Sequence, residues 1–271
     1  MQKILFQFLL MTTCISGMAQ TGDWDTYLAR YEKGPGSTLV NMTLKKQAPD
    51  SSLPYLFAAG VKFKNCTPDG LPAATAFISL NRISDSIVAL TGRRQGTLLT
   101  GTFTYQCERK DYFYVRDTSG LKAEVTQLLA TFFPEYSPAF LIKEDKTWDA
   151  YLHFLYPNEQ TRLFMQNQGI VMRLEKSGDN TATPRPVDHF LHFKSEKDRD
   201  CFIYKAVSQR FKIVSKDSTG PKDAPFSLQL TREDKADLSS INKITTWVKA
   251  EATRCKGQYE GWETVIRKRP E

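Results

Sequence analysis

The sequence predicts an α+β protein in two parts: a mixed N-terminal half and a C-terminal β-α-β-β-α-β unit with an antiparallel sheet. Three observations carry this prediction. Apolar residues recur at helical spacing in two stretches, Phe77, Leu80, Ile83, Ile87 and Leu90, then Ile241, Ile244, Val248 and Cys255. Short β-branched and aromatic runs such as Ser37–Leu44 and Val187–Phe193 read as strands. Ser177–Pro186 is polar and proline-bearing, without apolar period, and reads as a linker.

In the N-terminal half, Trp24–Tyr31 alternates and fits a strand or a short helix, followed by the turn Lys33–Gly36. Ser37–Leu44 and Tyr55–Phe63 read as strands. Thr67–Pro72 breaks the second and leads into a helix from Ala73 to Leu90. Leu98–Gln106 and Asp111–Arg116 form a hairpin around Cys107–Lys110, and Leu121–Phe133 is a helix stopped by Pro134. Lys146–Tyr156 reads as a strand, and Asn158 caps a helix running to Lys176. The spacing W-D-x-Y-L occurs at Trp24–Leu28 and again at Trp148–Leu152, which hints at duplication on five positions only.

The last third is the most regular. Val187–Phe193 is a strand, Ser195 caps a helix to Arg210, and Phe211–Ser215 and Phe226–Thr231 are strands around a polar loop. Leu238–Lys256 is a helix ended by Gly257, and Tyr259–Ile266 is the closing strand. This order is the split βαβ, or ferredoxin-like, arrangement: four antiparallel strands with both helices on one face. The first strand is central. On it, His189 shares the core side with Leu191 and Phe193, while Phe190 and His192 point to the open sheet face. Gly261 interrupts the closing strand, as a bulge would. Trp262 and Thr264 share one face; Trp262 either packs against the helices or stands on the open face as a partner anchor. The candidate binding residues are therefore Phe190, His192 and Trp262.

The strand Val187–Phe193, the helix after it and Gly257–Thr264 together resemble the RraB-like family. That family is named for a bacterial inhibitor protein that binds ribonuclease E and modulates RNA turnover. The resemblance implies a ferredoxin-like fold over 184–271 and a non-catalytic, regulatory binding role. The preceding region, with Trp24, Gly70–Pro72 and Tyr112–Val115, resembles domain of unknown function 695, which implies no activity. The expected organisation is a signal peptide at 1–19, an α+β domain at 20–139, a connecting strand, helix and linker at 140–183, and the RraB-like domain at 184–271.

The first residues have the order of an export signal: Lys3, the short apolar run Ile4–Met11, then small residues at Gly17 and Ala19 before Gln20. This predicts an exported chain, periplasmic or secreted, with no membrane span. It also separates the chain from a cytoplasmic ribonuclease. Loss of the leader removes Cys14 and leaves Cys66, Cys107, Cys201 and Cys255, two in each half. One disulfide per half fits, Cys66 with Cys107 and Cys201 with Cys255; four free thiols are the alternative. Antiparallel helices bring Cys201, near the start of one, to the same end of the layer as Cys255, near the end of the other.

The formal net charge is +7, but the basic residues are interleaved with acids, as in Lys194–Asp200. That scatter argues against a nucleic-acid stripe and for a mixed solvated surface. Chemistry is sparse. There are three histidines; His189 and His192 diverge on their strand, and no cysteine or histidine spacing fits a metal, so no cofactor is expected. There is no G-x-S-x-G elbow. Thr91–Gly96 lacks the lysine-serine ending of a phosphate-binding loop and follows a helix instead of preceding one. The favoured reading is an exported module binding a protein partner through its C-terminal sheet face. The alternative is a hydrolase-like envelope enzyme with its site in the N-terminal half, drawing on Arg93 or Arg94, a carboxylate and His153.

Overall fold

The computed structural model of the protein describes residues 22–268, so the expected leader and Cys14 lie outside the described residues. The chain divides into two compact units between Tyr156 and Pro157.

The first unit is built on a six-stranded sheet from β1 (Trp24–Tyr31), β2 (Gly34–Asn41), β3 (Tyr55–Lys62), β4 (Thr97–Tyr105), β5 (Glu108–Val115) and β6 (Ser137–Glu144). The strand order is β1-β2-β4-β5-β3-β6, and every pairing is antiparallel. Helices α1 (Phe77–Thr91) and α2 (Leu121–Phe132) cover one face. They bury Leu80, Ile83, Ile87, Val125 and Leu129 against Phe57, Val61 and Phe113. The β4–β5 turn places Gln106 and Cys107 at φ of 50° and 57°, the left-handed pair that a two-residue hairpin turn requires. Cys107 is bonded to Cys66, at a Cα separation of 5.8 Å, so the hairpin tip is tied to the loop before α1.

Two local expectations are corrected in this unit. The segment Lys146–Tyr156 is not a strand. Asp145 accepts hydrogen bonds from the Asp149 and Ala150 amides at 3.1 and 3.0 Å, and 150–155 coils into a π-helical turn. Its aromatic residues pack onto the second face of the sheet. Trp148 stacks on Tyr114 with ring centroids 4.1 Å apart, and the Tyr151 hydroxyl donates to the Asn41 carbonyl at 2.7 Å. The second correction is β6, which the sequence pattern did not reveal. It is an edge strand paired only with β3, mostly exposed, with Pro138 near its start where an edge tolerates it.

The second unit begins with α3 (Glu159–Lys176), capped by the Asn158 side chain, which accepts from the Thr161 amide at 2.8 Å. Then come β7 (Arg185–Phe193), α4 (Glu196–Ser208), β8 (Lys212–Asp217), β9 (Phe226–Asp234), α5 (Leu238–Arg254) and β10 (Gly257–Thr264). The sheet order is β10-β7-β9-β8, antiparallel throughout, which is the ferredoxin-like arrangement with the first strand central. Ser195 and Asp237 cap α4 and α5 through the amides of Asp198 and Ser240. Leu191, Phe193, Leu228 and Leu230 from the sheet bury against Phe202, Ile244 and Val248. Cys201 and Cys255 are bonded at a Cα separation of 5.8 Å, pinning the second turn of α4 to the end of α5.

The segment Ser177–Pro186, expected as a free linker, is part of this unit. Arg185 and Asp179 are fully buried and paired at 2.6 Å. Arg185 also donates to the Thr183 and Val265 carbonyls and to that of Asn180. Asp179 accepts the Arg267 amide at 2.6 Å, which ties the segment to the chain after β10. A buried guanidinium needs this set of acceptors, because each unpaired donor in the interior costs about 1–3 kcal/mol. The residues expected to connect two domains are thereby shared out: β6 completes the first sheet, and α3 packs on Ile241 and Trp262 of the second unit.

Candidate functional site

The open face of the C-terminal sheet is laid out by the alternation along β7. Val187, His189, Leu191 and Phe193 are buried, and Asp188, Phe190 and His192 between them are half-buried on the other side. Residues directly opposite in an antiparallel pair share a face. Phe190 faces Gln229 on β9 and Gly261 on β10; His192 faces Ser227 and Gln258; Asp188 faces Thr231 and Glu263. Phe190 is thus an aromatic ring in a polar field, on the central strand.

Gly261 makes that ring accessible. The β10 register slips between Tyr259 and Gly261, and Gly261 sits at φ +146°, a region that disfavours side chains. A Cβ built there would meet no atom within 4 Å. No β10 side chain therefore stands beside Phe190 at its own register position.

His192 is held more closely. Its Nδ1 lies 3.2 Å from the Ser227 hydroxyl. The β8–β9 loop runs beside the imidazole, since a Cβ on Gly220 would fall 2.8 Å from that nitrogen. The loop is fixed by the Gly220 amide donating to the Pro225 carbonyl at 3.0 Å.

His189 lies on the inner side, as the strand period implied. Its Nδ1 is 2.8 Å from the Tyr259 hydroxyl, and its ring meets Phe211 edge to face. Burial, with the nearby Arg232 charge, pushes its pKa down from 6.5 to about 3. The ring is neutral at ordinary pH and shielded from solvent, so it offers no general acid or base to a ligand on the open face.

Trp262 is corrected as a surface anchor. It is 6% exposed and lies between β10, α3 and α5, with Val171, Leu174 and Ile241 around it. The bulge at Gly261 puts Trp262 opposite His189, on the inner row. Its indole Nε1 donates to Asn167 Oδ1 at 2.8 Å. Asn167 in turn donates to Thr245 Oγ1 at 2.7 Å and Asn242 Oδ1 at 2.8 Å. The signal for this hub was a lone asparagine within the apolar stripe of α3, between Leu163 and Val171.

The groups of the alternative enzyme reading do not converge. Arg94 pairs with Glu124 and donates to the Ser119 carbonyl, beside α2. His153 belongs to the segment on the opposite face of the sheet, is exposed, and lies 3.7 Å from Asp149. All four cysteines among the described residues are bonded in pairs, so none supplies a thiolate. No group of three or more His, Cys, Asp or Glu among the described residues is placed to hold a metal ion. No described helix is long and apolar enough to cross a membrane.

Residues 22–156 match a family of unknown function (DUF695), and residues 164–264 match the family Regulator of ribonuclease activity B. The two matches stand in the order that the sequence resemblance gave. The second includes most of α3 and all of β10, the elements joined by Asn167 and Trp262. No curated protein matches the chain.

Proposed function

We propose that this chain is an exported, non-catalytic regulatory protein whose C-terminal unit binds a partner protein through its open sheet face. The observation that carries the reading is Phe190, a half-buried aromatic ring on the central strand whose register partner on β10 is Gly261, which bears no side chain. Aromatic side chains in such positions supply much of the binding energy at protein interfaces. The family match over 164–264 supports a regulatory binding role, since its name is that of a regulator. The identity of the regulated enzyme is not carried over with it.

Two features support export. The order of charge, apolar run and small residues before Gln20 is that of a cleaved leader. Both cysteine pairs are at disulfide distance, which an oxidising compartment maintains. N-terminal sequencing of the mature protein should begin at or next to Gln20; recovery of the intact Met1 form from the cytoplasm would refute this.

The binding test uses neighbouring residues of opposite orientation. The full chain, its Phe190→Asp variant and its His189→Asp variant are used to capture partners from envelope extract, with mass spectrometry as readout. Phe190→Asp should fold and lose the partner. His189→Asp should unfold the C-terminal unit, because an unpaired carboxylate would enter the core. Retained capture by a folded Phe190→Asp protein defeats the sheet-face reading.

A further inference from the structure

The first unit carries a second surface, on the helical side of its sheet. Helices α1 and α2 flank an open groove of about 530 Å³, with Arg82, Ala89, Leu90 and Arg93 on one wall and Leu128 and Phe132 on the other. None of its lining residues is acidic. Phe132 is 71% exposed at its rim, and Ile78, four residues before Arg82 and so on the same helix face, is 74% exposed.

The two arginines are also unengaged. Arg94, next in sequence, is tied to Glu124 and to the Ser119 carbonyl. Neither Arg82 nor Arg93 pairs with a carboxylate among the described residues. Arg82 lies in the second turn of α1 and Arg93 two residues past its end at Thr91, so the helical stretch from Arg82 to Thr91 alone separates them by about 14 Å at 1.5 Å per residue. The groove is thus an apolar trench with a free guanidinium towards each end.

We infer that this groove is a docking site for an amphipathic helical segment of a partner protein, about three turns long, whose apolar stripe fills the trench and whose carboxylates meet Arg82 and Arg93. The charge pattern selects the occupant. A second copy of this chain would have to present a matching pair of carboxylates, and an anionic membrane would engage Ile78 and Phe132 without regard to the arginine spacing. This site lies in the other unit from the sheet face around Phe190, and its variants leave that face unchanged.

The test is fluorescence anisotropy on the full chain with three labelled helical peptides. One has a leucine stripe with glutamates eleven positions apart, one has lysines in their place, and one has serines in place of the leucines. The glutamate peptide should bind, and the lysine and serine peptides should not. Arg82→Glu with Arg93→Glu should weaken the glutamate peptide about tenfold and admit the lysine peptide. Phe132→Ser, at an exposed position, should weaken both pairings while leaving the fold intact. Failure of the glutamate peptide to bind overturns the inference, as does equal binding of the glutamate and lysine peptides. So does a charge reversal without exchange of preference. Stronger partition onto anionic vesicles, or concentration-dependent self-association abolished by Phe132→Ser, would assign the groove to a membrane or to a second copy and also overturn it.

Discussion

Replacing Asn167 with Leu tests whether α3 is an integral part of the C-terminal unit. Asn167 is 1% exposed, and its side chain joins three elements through Trp262, Thr245 and Asn242. Leucine matches the branched shape of asparagine atom for atom but is bulkier, so no cavity forms and a small overpacking cost adds to the loss of hydrogen bonds. The Trp262 indole N–H is then left buried without a partner, which costs about 1–3 kcal/mol. Thr245 loses only an accepted bond, since its hydroxyl still donates to the Ile241 carbonyl at 2.8 Å. Asn242 is half-buried and regains water. The total is about 2–3 kcal/mol, or roughly 10 °C in Tm for a unit of this size.

Scanning calorimetry of the full chain should show the transition of the C-terminal unit move down by that amount while that of the N-terminal unit stays in place. Trp262→Phe should cost a similar amount by orphaning Asn167 Oδ1, and the double variant should cost clearly less than the sum, because both partners are then gone. A shift under about 2 °C for Asn167→Leu, or additive costs in the double variant, would refute the reasoning, since an interaction worth less than about 0.5 kcal/mol is not holding three elements together.

What the sequence showed and what it hid divide along one physical line. The two faces of β7 were legible because a strand alternates with period two, so His189 and Phe190 must diverge once a core exists. The Cys201–Cys255 pairing was legible because antiparallel helices in a known order share their ends. The side of the sheet taken by Trp262 was not legible, since it depends on the register of β10 against β7 and the bulge at Gly261 sets that register. Lys146–Tyr156 was misread because aromatic residues mark any buried surface, and here Asp145 turns the segment into a helical coil that lays those rings on the sheet. Strand β6 escaped because an exposed edge has no alternation to show. The groove beside Phe132 depends on the spacing of two helices, which no local pattern encodes. Asn167 is legible from the sequence alone, since an amide inside an apolar helical stripe requires partners from neighbouring elements.

Three further outcomes follow from the same geometry. Serine at Cys201 and Cys255 should destabilise the C-terminal unit by about 4 kcal/mol, the chain-entropy value for a closed loop of this length, and non-reducing peptide mapping of the native chain should recover the linked pair; free thiols at both positions would contradict it. Arg185→Ala should cost about 3–5 kcal/mol in urea unfolding, because it strands the buried Asp179 carboxylate, whereas a true linker would tolerate it. The last outcome concerns pH. His189 titrates near 3 in the fold against 6.5 when unfolded, so between those values the unfolded chain holds a proton that the folded chain does not. Stability supplied by the neutral ring is complete above the unfolded value and is lost as pH falls through the window, at about 1.4 kcal/mol per pH unit. By pH 5 the loss is about 2 kcal/mol. The groups around the ring are Tyr259, Phe211 and Arg232, and of these the arginine keeps its charge throughout the window. Carboxylates elsewhere also titrate below pH 5, so the measurement is a difference. His189→Gln retains a partner for Tyr259 and cannot titrate. Urea unfolding of the C-terminal unit should give wild-type and variant profiles that converge by about 2 kcal/mol between pH 7 and pH 5. Parallel profiles would mean that His189 is protonated in the fold, and would place it near solvent or an acid instead of in the core.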